Sequence, residues 1–116
     1  MTQPGSRPAE QQRTRTLQAL AAPPRQTILD LLRQHGPLTA GAIADHFPRI
    51  SRPAVSKHLR LLRQADLVRA RRQGRQRWYS LNAAPLGRLY RDWLALFEDL
   101  WQQRLSDLKE TVESHT

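Results

Sequence analysis

Residues 51–81 read SRPAVSKHLRLLRQADLVRARRQGRQRWYSL. Ser51 has the side chain of a helix cap: its hydroxyl can accept from the free backbone N–H groups of a first turn. Pro53 falls inside that turn, where its missing N–H costs nothing. Val55, Leu59 and Leu62 follow at spacings of four and three, the pattern of one buried helix stripe. From Leu67 to Arg72 and from Arg75 to Leu81 the pattern becomes strand-like, with Gln73-Gly74 between. A glycine in a two-residue connection supplies the positive φ that hairpin turns require. The stretch therefore predicts a capped helix over about residues 52–64 and a tight hairpin over about residues 67–81.

Charge is concentrated on the same stretch. Between Arg49 and Arg77 ten basic side chains stand against one acid, Asp66, a net of +9 that equals the formal charge of the whole 116-residue chain. Residues 1–81 carry 15 basic and 4 acidic side chains, and residues 82–116 carry 4 and 6. A helix and hairpin that hold all the excess positive charge form a surface suited to an extended polyanion.

Working outward, Leu17 and Leu20 mark a short helix from about Arg13 to Ala22, broken at Pro23-Pro24. Ile28, Leu29, Leu31 and Leu32 give a second helix a broad apolar face, and His35-Gly36-Pro37 ends it. Thr39 can cap a short third helix through Phe47, and Pro48 to Ile50 form a turn before Ser51. Downstream of the hairpin, Asn82 can cap a last helix over about residues 83–113, with Pro85 in its first turn. Its apolar residues, Leu86, Leu89, Trp93, Leu96, Leu100, Leu105, Leu108 and Val112, recur every three to five positions, with Phe97 and Trp101 beside them. The order is α-α-α-α-β-β-α, mainly helical with a β-hairpin wing: a winged helix-turn-helix with an extra helix at each end.

In such a unit the second helix of the pair enters the major groove of duplex DNA. Ser51 and Arg52 stand at its N-terminus, where the phosphate backbone runs. Arg52 suits bidentate readout of guanine and Ser56 a less discriminating base-edge contact, while Lys57 and Arg60 suit phosphate. In the hairpin, alternation sends Arg69 and Arg71 to one face and Arg72 with Val68 to the other. The tip presents Arg72 and Arg75, with Arg71 and Arg77 behind them, to a neighbouring groove or flanking phosphates. Trp78 and Tyr79 are expected to pack on the helices rather than to stack on bases.

The stretch SRPAVSKHLRLLRQADLV followed by RRQGRQRWYSL resembles the ArsR/SmtB-type bacterial transcriptional repressors, and LAAPPRQTILDLL looks like the opening helix of that family. The likeness spans roughly residues 13–112. It implies a homodimer with paired recognition helices that binds an inverted-repeat operator on double-stranded DNA, usually repressing transcription in the bacterial cytoplasm at the nucleoid. Carried over by position, Arg52, Ser56, Lys57 and His58 fall on the family's DNA-reading helix. The family's first and last helices make the dimer interface, which here assigns Leu17, Leu20, Leu89, Trp93, Leu96, Phe97, Leu100, Trp101, Leu105 and Leu108 to it. The likeness is greatest to the branch without a metal or inducer.

Several other classes find little support. The chain has no cysteine, which excludes disulfides, thiolate zinc sites and the cysteine-based metal sensors of the family. His35, His46 and His58 are scattered, and the last helix lacks two histidines at ligand spacing, so neither a metal nor a cofactor is expected. Ser56 and His58 point in different directions on a helix, and no glycine-rich phosphate loop or nucleophile elbow occurs, so no enzyme is expected. No apolar run approaches membrane-spanning length, and MTQPGSRPAEQQ lacks the apolar region of a secretory signal. Residues 1–12 read as a flexible tail and residues 13–116 as one domain. The alternatives are a ligand- or metal-responsive sensor of the same fold, with Trp93, Phe97 and Trp101 lining a pocket, and a winged helix that binds protein. No particular effector is indicated.

Overall fold

The computed structural model describes residues 8–114, with side chains through Val112. Two compact units divide the chain, one running through Leu86 and the other from Gly87.

The first unit contains α1 (Pro8–Leu20), α2 (Pro23–His35), β1 (Leu38–Thr39), α3 (Ala40–Ala44), α4 (Arg52–Gln64), β2 (Val68–Gln73), β3 (Gln76–Leu81) and the start of α5 (Ala84–Asp92). Its core joins Ile28, Leu29 and Leu32 of α2, Ile43 of α3, Val55, Leu59 and Leu62 of α4, and Leu67, Val68 and Tyr79 of the hairpin. The α4 stripe anticipated from spacing is almost fully inaccessible, at 2%, 1% and 0% exposure for Val55, Leu59 and Leu62. Complete burial of each such side chain contributes about 1.5–3 kcal/mol.

Local chemistry sets the helix ends. Thr39 Oγ1 accepts from Ala42 N–H at 3.2 Å and Ser51 Oγ from Ala54 N–H at 3.2 Å, as the cap residues predict. Gly36 closes α2 with φ 76°, its N–H donating to the Leu32 carbonyl at 3.0 Å. At the end of α4, Asp66 adopts φ 59°. Its N–H donates to Arg63 O at 2.9 Å and Leu67 N–H donates to Leu62 O at 3.0 Å, a Schellman ending with aspartate in the left-handed position glycine usually takes.

Several boundaries differ from the sequence reading. The first helix starts at Pro8 rather than near Arg13, so residues 8–12 are helix and not tail. Pro8 suits a first helical turn, and Glu10 complements the positive helix N-terminus. Residues 1–7 of the expected tail lie outside the described residues. The buried residues of α1 are the small Thr16 and Ala19; Leu17 is 38% exposed. The third helix ends at Ala44 rather than Phe47, because Asp45, His46 and Phe47 continue in tightening turns.

A two-residue strand that carries no periodicity, β1, completes a three-stranded antiparallel sheet in the order β1-β3-β2. Leu38 pairs with Tyr79 and Thr39 with Trp78, while β2 and β3 run from Val68↔Leu81 to Gln73↔Gln76. The hairpin connection is thus Gly74-Arg75, one residue later than expected. Of the two, only Gly74 has positive φ, 64°, which matches a II′ turn.

The second unit contains the rest of α5, a 3₁₀ turn (Leu94–Phe97) and α6 (Glu98–Ser114). The expected continuous helix over 83–113 is therefore interrupted. Trp93 leaves helical geometry at φ −139°, ψ −60°. Its ring packs edge-on against Phe97 at 5.6 Å between centroids. The Tyr90 hydroxyl donates to the Glu98 carboxylate eight residues later. In an unbroken helix residues that far apart stand about 12 Å apart along the axis, so this bond requires the bend. No helix among the described residues is long and apolar enough to cross a membrane.

Candidate nucleic-acid interface

The helix α4 is held by its core stripe and its two end caps, so the directions of its remaining side chains follow from the 3.6-residue period. Ser51, Arg52, Ser56, Lys57 and Arg60 are all exposed, as are Arg49 before the helix and Arg63 in its last turn. The Ser51 oxygen already serves the cap, which leaves its O–H proton able to donate outward. Arg52 reaches back across the turn toward α3, its guanidinium 3.5 Å from the Asp45 carboxylate, with both side chains 72% exposed. A pair this open contributes about 0–1 kcal/mol and yields readily to a phosphate or a base edge.

His58 does not join this face. It is half-buried, and its Nδ1 lies 3.2 Å from Arg25 Nη1 of α2. One step around the helix from Lys57 is about 100°, enough to turn it from the exterior to the α1–α2 side. Of the residues carried over by position, His58 is thus the one that meets α2 in this structure.

In the wing, Arg69, Arg71, Arg72, Arg75 and Arg77 are all exposed. The register puts Arg72 directly opposite Arg77, and like charges so placed repel unless an anion lies between or against them. Arg69 Nε lies 3.9 Å from the Asp66 carboxylate. Alternation separates the two aromatics. Tyr79 is buried in the core, whereas Trp78 lies on the other sheet face, half-buried opposite Arg71 and Thr39. Trp78 therefore does not pack where the sequence reading had put it.

The wing is clasped at its root. Asn82 N–H donates to Leu67 O at 2.9 Å, and its side-chain amide donates to Asp66 O at 2.7 Å. Its Oδ1 also accepts from Ala84 N–H at 3.4 Å, the helix-start role anticipated for it. Spacing alone pointed to that last contact. The two bonds back to Asp66 and Leu67 had no sequence signal.

Of the apolar residues assigned to an interface between copies, Leu96, Leu100, Trp101, Leu105 and Leu108 are 56–69% exposed, and Leu17 and Phe97 are about 40% exposed. Leu20 instead packs against the core of its own chain, Leu89 is buried at 7%, and Trp93 is half-buried on Phe97. Intramolecular packing thus uses Leu20 and Leu89. No group of three or more metal-binding side chains occurs among the described residues.

A core-anchored, cationic second helix, a tight turn from α3 and an arginine-rich hairpin define a winged helix-turn-helix DNA-binding protein. Known proteins agree. A helix-turn-helix domain family matches residues 20–71. The transcriptional repressor SdpR of Bacillus subtilis is 47% identical over 68 residues, covering 59% of this chain and 73% of its own. The regulator Rv2034 of Mycobacterium tuberculosis is 38% identical over 100 residues, covering 86% and 88%. The crystal structure of an ArsR family transcriptional regulator superposes with a TM-score of 0.70 at 32% identity, over 79% of this chain and 92% of that one. The chain belongs to the ArsR family of DNA-binding transcriptional regulators.

Proposed function

We propose that the chain is a homodimeric, cytoplasmic repressor of an inverted-repeat operator. In this reading, α4 enters the major groove, with Arg52 and Ser56 reading bases and Ser51, Lys57 and Arg60 holding phosphate. Arg71, Arg72, Arg75 and Arg77 extend along flanking DNA, and the same polyanionic partner places the protein at the nucleoid. The observation that carries the reading is the exposure of every one of these cations, on a helix whose opposite face is buried and on a hairpin whose root is buried. The named function of SdpR supports repression.

Dimerisation is assigned to the exposed apolar residues of the second unit. A group of exposed apolar side chains on one unit suits an interaction site, and a second copy is the partner the family resemblance implies. The test of DNA binding is a mobility-shift titration on duplex DNA across a salt series. Affinity falls steeply with salt, and Arg72→Ala or Arg75→Ala each lowers the log–log slope by about one unit while weakening all sequences alike. Absence of duplex binding at low salt overturns the proposal.

One observation favours a second reading, a ligand-responsive regulator. A hollow of about 310 Å³ lies on the second unit, lined by Phe97, Leu100, Trp101 and Arg104. This is the size of a small-molecule pocket with an apolar wall and one cation. A second copy packed on α6 fills the same space, so a dimer structure separates the two readings.

A further inference from the structure

Arg25 has three partners on two other elements. Its Nε–H donates to Ala19 O at 2.8 Å and Nη2 donates to Gln18 O at 3.1 Å, two last-turn carbonyls of α1, of which Gln18 O also accepts from Ala21 N–H at 3.2 Å. Its Nη1 meets His58 Nδ1 at 3.2 Å, across thirty-three residues of sequence. A guanidinium can only donate, so Nδ1 must be the acceptor. The His58 ring is then neutral, with its single proton on Nε2. We propose that Arg25 is a positioning residue for DNA reading: through this bond it fixes α4 against the α1–α2 corner, and protonation of His58 releases the tie. The proposal rests on α4 being the DNA-reading helix.

The chemistry is one-sided. A second proton on the ring would occupy Nδ1, abolish the acceptor and set two cations against each other. The charged groups facing His58 are Arg25 from α2 and Lys57 from its own helix, and Arg15 of α1 lines the hollow that Arg25 also borders. Burial first, then Arg25, then Lys57 hold the His58 pKa below its ordinary 6.5. A histidine with a lowered folded pKa contributes its neutral-state stabilisation above the unfolded value and loses it as pH falls through the folded value. Loosening therefore sets in on the acid side of 6.5. His58 adjoins Lys57, so a shift of the ring moves a side chain that faces outward.

The test uses the full chain and the duplex it selects from a random-sequence DNA library. Between about pH 7.5 and about pH 5.5 the wild-type Kd weakens roughly three- to tenfold more than that of His58→Gln, whose side-chain carbonyl still accepts from Arg25. Subtracting the His58→Gln profile removes the contribution of the other histidines. In the free protein, Arg25→Ala raises the His58 pKa toward its ordinary value, read from imidazole NMR shifts. Equal profiles for wild type and His58→Gln overturn the proposal, and so does affinity that rises on acidification. An Arg25→Ala protein that folds with an unmoved His58 titration overturns it too; if that variant does not fold, the His58→Gln comparison decides. Lys57→Ala separates the underlying reading: unchanged DNA affinity removes α4 from the groove, and the NMR titration then judges the Arg25–His58 tie by itself.

Discussion

The helices α4 and α6 carry apolar residues at similar spacing, yet the fold treats them in opposite ways. In α4 the stripe Val55, Leu59 and Leu62 is at most 2% exposed. In α6 Leu100, Trp101, Leu105 and Leu108 are 56–67% exposed. Spacing shows that an apolar face exists and is silent about what covers it. For α4 the cover is the same chain, so its polar remainder is held rigidly outward. For α6 the face stays open in this chain. Charge follows the same division, with the cations on the folded-down helix and its wing and a slight acidic excess after residue 82.

The largest test of this contrast is a pair of truncations. Leu59→Ala costs about 2–5 kcal/mol of stability by urea denaturation, because it opens a cavity in a closed core. Leu100→Glu keeps the far-UV circular dichroism of the fold and gives a monomer by light scattering. A Leu100→Glu protein that stays dimeric, or that unfolds outright, breaks the comparison. Next in size, Arg52→Ala loses about 1–3 kcal/mol of discrimination at one base pair while binding random DNA nearly as before. Equal loss on both makes Arg52 a phosphate anchor. Smallest, Ser51→Ala costs about 1 kcal/mol of thermal stability through the lost cap on Ala54 N–H. A shift within error would show that the core stripe alone orients α4.

Residues with strong local chemistry were legible before any coordinates. Thr39, Ser51, Pro53, Gly36 and Gly74 each act through their own backbone or the next turn, so their types announce them. The α4 stripe was legible because its cover lies in the same chain. Contacts between distant segments left no such trace. His58 reads like its neighbours on a basic helix, and only Arg25, which the sequence reading passed over, shows that it faces inward. The break at Trp93 was hidden because apolar spacing continues through it, while the Tyr90–Glu98 bond that accompanies the bend is tertiary. The family resemblance assigns Leu20 and Leu89 to a partner, and only the folded chain shows that they also meet intramolecular neighbours.

The Asn82 clasp joins the two ends of the hairpin to each other at Asp66 and Leu67. Val68 and Tyr79 still anchor the strands just beyond that knot, whereas residues 71–77 take no part in the core. Mutation can therefore lengthen the tip, shorten it or change its charges without disturbing the body that carries it. The tip of the wing, residues 71–77, is thus free to evolve toward a new DNA site while the rest of the fold stays as it is.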